Sequence, residues 1–240
     1  MPDLTAATPL APLPPAFFAR ETLAVARDLL GRLVVHDDPD AGRLVGQIVE
    51  TEAYTADDPA LHGWKATFGG DGIVLPEGRA AGLFAAPGTA YVYLVYYTSW
   101  LLNVVTEPEG TPGAVLIRAV EPLVGVDAMR ERRPLARRER DLTNGPGKWT
   151  QAFGIAEVAD PARGGPGVAR SRFHGTSLTQ PPLFFSTDPH AAPFETAVST
   201  RIGISRGVDR PYRFYATRHP HVSPGVPSDV RVARKTGRGQ

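Results

Sequence analysis

The run from Arg43 to Tyr54 most constrains this chain: an apolar stretch that closes on Val49-Glu50-Thr51-Glu52-Ala53-Tyr54. Side chains of a strand alternate between faces, so a regular strand here puts Ile48, Glu50, Glu52 and Tyr54 on one face. Arg32 to His36 reads as the preceding strand, joined through an Asp-Asp-Pro-Asp-Ala-Gly turn. Gly88 to Val105 reads as strand, turn, strand, with the turn near Tyr96-Tyr97-Thr98-Ser99, and Ala114 to Val120 follows the Thr111-Pro112-Gly113 turn. Arg201 to Ile204 and Tyr212 to Tyr215 read as late strands.

Phe17, Phe18, Leu23, Ala26, Leu29 and Leu30 recur at helical spacing, and Gly31 supplies the stop. Residues 122–140 read as a helix ending in a basic block. Asn144-Gly145-Pro146-Gly147-Lys148 breaks the chain before a short helix over Trp149 to Phe153. Residues 55–87 and 156–198 are loop-rich. The pattern predicts a single mixed α+β domain with antiparallel strands over 16–223. An Ala- and Pro-rich disordered tail is expected over 1–15, and a basic tail over 224–240.

Composition narrows the function classes. Hydrophobic residues make up 42% of the chain, enough for a sizeable core. The formal net charge is +1, from 26 basic and 25 acidic residues, so a nucleic-acid footprint must come from local clustering. The absence of cysteine removes disulfides, thiolate nucleophiles and Cys-ligated zinc. No cationic start with an apolar core suggests a secretion signal, and no apolar run approaches the ~20 residues that span a membrane.

Three groups of residues carry chemistry. Glu50 and Glu52 are either a solvated strand end or an acid/base site: positions two apart lie roughly 6.5–7 Å apart along a strand, within the loose range of glycosidase carboxylate pairs. Tyr91, Tyr93, Tyr96 and Tyr97 are four of the seven tyrosines. Such a run is either packing or a surface for a planar ring; alternation puts Tyr91 and Tyr93 on one face and Leu94 and Tyr96 on the other. A tyrosine at the hairpin tip could unstack a base pair. Arg130, Arg132, Arg133, Arg137, Arg138 and Arg140 fall within eleven residues, either as a solvated face or as phosphate contacts. Glycines and prolines around Lys148 suggest close approach of backbone to an anion, without P-loop spacing. His62 is either structural or part of a site, and no His-x-x-x-His pattern suggests a metal.

The chain resembles the alkyladenine (3-methyladenine) DNA glycosylase family. The matching stretches are ARDLLGRLVVH at 26–36, VETEAY at 49–54, DPALH at 58–62, PGTAYVYLVY at 87–96, LNVVT at 102–106, GAVLIRAVEPL at 113–123, LTNGPGKWTQAFGI at 142–155, RIGI at 201–204 and YRFYATRHPHVS at 212–223. The resemblance implies one domain around a curved antiparallel sheet with flanking helices. It implies that Glu52 is the general base that activates water against the sugar C1′. Tyr54, His62 and Tyr93 would wall the base pocket, with Tyr91 in support and Asn103 on its floor disfavouring guanine's exocyclic amine. Tyr96 would intercalate, although Tyr97 stands where the family usually has Gly. Arg118, with Leu116 nearby, would hold the flipped nucleotide and its phosphate, and Lys148 adds positive charge. The family needs no metal or organic cofactor. Its partner is double-stranded DNA carrying damaged bases, bound by a monomer beside the nucleoid in a bacterium or in the nucleus of a eukaryote. Two other readings stay open: a non-catalytic nucleic-acid-binding module, and hydrolysis of free nucleosides.

Overall fold

The computed structural model describes residues 4–62, 78–95, 98–155, 171–188 and 195–231. Two short helices, α1 (Pro15–Phe18) and α2 (Thr22–Asp28), precede β1 (Leu33–Asp38) and β2 (Gly42–Tyr54). A hairpin follows, β3 (Ala90–Val95) and β4 (Ser99–Val105), then β5 (Ala114–Val124). Helices α3 (Val126–Arg132) and α4 (Pro146–Ala152) come next. The chain closes through β6 (Thr179–Gln180), β7 (Leu183–Ser186), β8 (Thr196–Ser199) and β9 (Arg213–Ala216).

The described strands form one curled antiparallel sheet, in the order β3-β4-β5-β2-β1-β7-β6. Strand β2 is the axis. Its first half pairs with β1, from Asp38↔Gly42 to Leu33↔Gln47. Its second half leaves β1 and pairs with β9, from Glu50↔Tyr215 to Glu52↔Arg213. Strand β5 runs along its other edge from Val45 to Tyr54.

The helices cover one face of this sheet. Trp149 and Phe153 at α4 pack with Leu102, Ile117 and Val120, all buried. The Trp149 indole donates to Ile117 O at 2.8 Å, so the largest core side chain also satisfies its polar atom. Ile48 and Ala53 of β2 lie in this core, and Thr51 donates to Ala26 O of α2 at 2.8 Å. Val49 and Ala119 belong to a separate cluster with Ala216. The ladder between β2 and β5 is irregular at Glu50, with breaks on either side. Val49 and Glu50 therefore both turn away from the helices, as do Arg118 and Ala119 opposite. Ile48 does not share the face of Glu50, Glu52 and Tyr54, as strict alternation predicts; the irregularity lets a core residue and the acidic end face opposite ways.

Other expectations need correction. The helix predicted over 122–140 is only α3: β5 runs on to Val124, and Pro134 disfavours helical backbone at Arg133. Helix α4 begins at Pro146, so Lys148 sits on it rather than before it. Leu183–Ser186, inside a stretch expected to be loop, is a buried strand against β1. Arg201 to Ile204 form no strand; Ile202 makes only an isolated bridge with Pro227. Within the stretch expected to be a tail, residues of the segment 4–14 make contacts with the sheet. Leu13 N–H donates to Phe185 O at 2.7 Å, and Leu4 and Leu10 pack on Leu33, Val35 and Phe184, an apolar strip that needs cover. At the other end, Ser228 N–H donates to Arg201 O at 2.8 Å, so the segment past Ser223 is docked at least that far.

Two outcomes test this packing. Gly125 turns β5 into α3 at φ +79°, and an added Cβ would overlap Leu44 and approach Arg43 O at 3.1 Å. Gly125→Ala should lower stability by at least about 1–2 kcal/mol, read from the urea midpoint. His36 is fully buried, with Nδ1 2.7 Å from Phe153 O, and burial lowers its pKa despite Asp38 alongside. A depressed folded pKa means that unfolding takes up a proton on acidification. Stability should thus be full above about pH 6.5 and fall below it. His36→Gln should flatten that acid slope in urea titrations from pH 7 to 5.

Candidate active site

Glu52 is fully buried although it lies near the end of β2, next to a cavity. Three donors converge on it. Ile202 N–H reaches Oε1 at 2.7 Å, while the Tyr54 hydroxyl and Arg118 Nη1 reach Oε2 at 3.0 and 3.3 Å. Burial, then the Glu52 charge, raises the Tyr54 pKa well above its ordinary value, so the phenol stays protonated and donates. Burial alone would lower the pKa of Arg118; the carboxylates of Glu52 and Glu50 outweigh it and hold the guanidinium charged.

Glu50 has its acceptors taken by other groups. Arg213 Nε donates at 2.6 Å, Arg118 Nε at 3.1 Å, Ser223 N–H at 2.7 Å and Ser223 Oγ at 2.8 Å. Of the two candidate carboxylates, Glu50 is thus the anchor, tying β2 to β5, β9 and the segment after β9. Arg118 bridges the pair.

Beside this network lies a small cavity of about 30 Å³, lined by Tyr54, Leu61, His62, Tyr91, Tyr93 and Asn103 among others. Strand β3 aims Tyr91 and Tyr93 the same way, as alternation predicts, and places Leu94 against the core. The His62 ring lies 4.5 Å from Tyr93, centroid to centroid, and its Nδ1 is 3.0 Å from the Tyr91 hydroxyl. Asn103 of β4 is buried and donates to Tyr91 O at 3.1 Å. The five residues expected to form a base pocket therefore meet around one hollow.

A neighbouring cleft of about 550 Å³ shares Tyr54, His62 and Tyr93 with it. Leu116, Arg118, Ile202 and Lys148 line this cleft. Lys148 donates to Asn144 Oδ1 at 2.7 Å, and burial, with nearby Arg133, lowers its pKa. Glu52 itself lines neither space. It sits behind Tyr54, Arg118 and Ile202, each of which both faces the cleft and hydrogen-bonds the carboxylate.

The arginine block sorts into paired and cleft-facing members. Arg130, Arg132 and Arg138 bond Glu139, Asp38 and Asp141 at 2.8–2.9 Å. Arg133 instead lines the cleft with Lys148. Tyr96 and Tyr97 lie outside the described residues, as does 63–77 of the unusual 63–84 loop. Among the described residues, no set of three His, Asp or Glu side chains could hold a metal ion, and no helix is long and apolar enough to cross a membrane.

Sequence reasoning assigned no role to Arg213, Ser223, Asp58, Arg201 or the Ile202 amide. All five fall inside segments quoted above for the resemblance, but their partners are far away in the chain: Ser223 is 173 residues from Glu50. The Ile202 contact is a backbone one, which residue type does not reveal.

The family model described as "Methylpurine-DNA glycosylase (MPG)" matches residues 16–220. A "Putative 3-methyladenine DNA glycosylase" of Salinibacter ruber is 53% identical over 218 residues, covering 90% of this chain and 98% of the relative. Proteins of the same description from Chlorobium luteolum and Methanoculleus marisnigri are 41% and 39% identical, each over 88% of this chain and 96% and 98% of their own lengths.

Replacing Arg213 with methionine leaves Glu50 short of its closest cation. Arg213→Met should cost about 3 kcal/mol of stability, the low end for breaking a buried pair because Arg118 and Ser223 remain. Urea unfolding reads it directly.

Proposed function

The chain belongs to the methylpurine-DNA glycosylase family, an N-glycosyl hydrolase family acting on DNA, and from that premise we propose that it flips alkylated purines, such as 3-methyladenine and 7-methylguanine, out of duplex DNA and leaves an abasic site. The carrying observation is the seam where the aromatic cavity meets the buried carboxylate: Tyr54 lines the cavity with its ring and bonds Glu52 through its hydroxyl.

A purine alkylated at N3 or N7 carries positive charge and leaves readily. The enzyme's task is then to extract it, hold it and supply water. Tyr54, Tyr93 and His62 offer ring faces and edges to the flipped base, and tyrosine faces attract a cationic ring. Tyr91 braces His62 and Tyr93. Asn103 sits at the floor, where guanine's exocyclic amine would have to displace it, a cost that cationic 7-methylguanine offsets by leaving readily and neutral guanine does not. Tyr96 fills the vacated stack, and Arg118, with Leu116 beside it, together with Arg133 and Lys148 faces the nucleotide and its phosphates from the cleft.

The attacking water enters at the seam of Tyr54, Arg118 and Ile202. Its oxygen bonds to C1′ as the C1′–N bond breaks. That bond's electron pair returns to the purine and cancels its charge, and the water's proton passes to Glu52. The scheme predicts no strand scission, because water and not a lysine amine attacks C1′. We assign the activity to the domain over 16–223, acting as a monomer.

Single-turnover excision from duplex oligonucleotides tests this. Wild type should release 7-methylguanine and 3-methyladenine faster than hypoxanthine or ethenoadenine, whose neutral rings leave less readily. Glu52→Gln should lose about 10²–10⁴-fold in rate while still binding the duplex. Binding without release of any lesion would turn the reading to a non-catalytic DNA-binding module; full activity in Glu52→Gln would remove Glu52 as the base.

A further inference from the structure

Asp58 and Arg201 form a second buried ion pair, in which neither residue is accessible to solvent. Arg201 grips Asp58 through both terminal nitrogens, with Nη2 3.0 Å from Oδ1 and Nη1 against Oδ2. The same nitrogens donate to Ala53 O at 2.9 Å and Gly207 O at 3.2 Å. The guanidinium carbon lies 4.6 Å from the Tyr54 ring centroid and 5.4 Å from that of Tyr212. Such a pair is a poor stabilising device, since desolvation offsets much of its attraction. A role in placement accounts better for it.

Its contacts converge on the reactive carboxylate. Ala53 follows Glu52 in the chain, and Tyr54 donates to it. Ile202, the residue after Arg201, gives Glu52 its shortest hydrogen bond. Asp58 organises the turn that carries His62: its side chain accepts from Ala60 N–H at 3.0 Å and its carbonyl from Leu61 N–H at 2.9 Å. Among the described residues, the donors to the Glu52 carboxylate other than Arg118 are Tyr54, which Arg201 contacts, and Ile202, which follows Arg201 in the chain.

We infer that Asp58–Arg201 is a positioning pair, which fixes the Glu52 carboxylate, the Tyr54 ring and the His62 turn in one reactive arrangement without touching substrate. This inference rests on the assignment of Glu52 as the base. Displacing a reacting group by about 1 Å can cost 10²-fold in rate, so a loss of that size is expected from the pair. Because the pair acts through Glu52, its loss should matter little once Glu52 is already disabled.

The experiment compares wild type, Asp58→Asn, Glu52→Gln and the double variant in single-turnover release of 7-methylguanine, with duplex affinity measured alongside. Asp58→Asn should slow release about 10²-fold, leave affinity unchanged and add no further loss to Glu52→Gln. An affinity loss as large as the rate loss, or equal losses in both backgrounds, would make the pair merely structural and overturn the inference. Tyr212→Leu keeps the test readable if Asp58→Asn does not fold, because it uncovers Arg201 without unpairing a charge. It should slow release several-fold at unchanged affinity, and full activity in it would overturn the inference. Wild type that releases no base would remove the assigned function, and this inference with it; wild-type release with full activity in Asp58→Asn would remove the inference alone.

Discussion

Burying two carboxylates on one strand end is the constraint on which the rest of this structure depends. Taking an ion out of water costs several kcal/mol, and two like charges side by side add repulsion. Arg118 from β5 and Arg213 from β9 meet Glu50 and Glu52, so two guanidiniums balance two carboxylates within the sheet. This neutralisation needs strands on both edges of β2 at the level of Glu50. Strand β1 stops pairing at Gln47, and β9 takes its place at Glu50. The division of the sheet and the irregular ladder at Glu50 both serve this burial: one brings Arg213 alongside, the other turns Glu50 and Arg118 to the same face.

That constraint also explains which parts of the fold were legible in the sequence. Strands β1 to β5 were, because apolar alternation bounded by Gly, Pro and Asp is a local signal. The face shared by Tyr91 and Tyr93 followed from the same rule. The fate of Ile48 did not, since alternation presumes an unbroken ladder and nothing in Val49-Glu50 signals a break. Arg201 to Ile204 alternates like a strand yet is held by side-chain ionic contacts and a backbone cap on Glu52. The Ala- and Pro-rich start has little periodicity, but Leu4 and Leu10 cover an apolar strip left by β1 and β7, and Leu13 joins the main core. The 122–140 segment shows the opposite failure: its composition suits a helix, while the ladder with β2 and Pro134 limit it from either end.

The candidate site was legible in kind but not in wiring. Tyr54, His62, Tyr91, Tyr93 and Asn103 come together as the resemblance implies. Arg118 was expected to hold a nucleotide, and it lines the cleft, yet its hydrogen bonds run to Glu50, Glu52 and Ser223. A sequence reports which side chains carry charge, not which charges cancel. The arginine block makes the same point: six clustered cations look like a phosphate surface until Glu139, Asp38 and Asp141 are seen to engage three of them.

Under the proposed function, Tyr54 is where recognition and reactivity would meet. Its ring lines the cavity, its hydroxyl donates to Glu52, and Arg201 packs against it. A base pressed on that ring therefore pushes on a group already tied to the carboxylate and to a buried guanidinium. A planar ligand that fits the cavity meets Glu52 held in place, whereas one that displaces Tyr54 disturbs the hydrogen bond that fixes it. Under the proposed function, selectivity would not need separate contacts to each lesion: the side chain that walls the cavity is also the one that bonds the carboxylate.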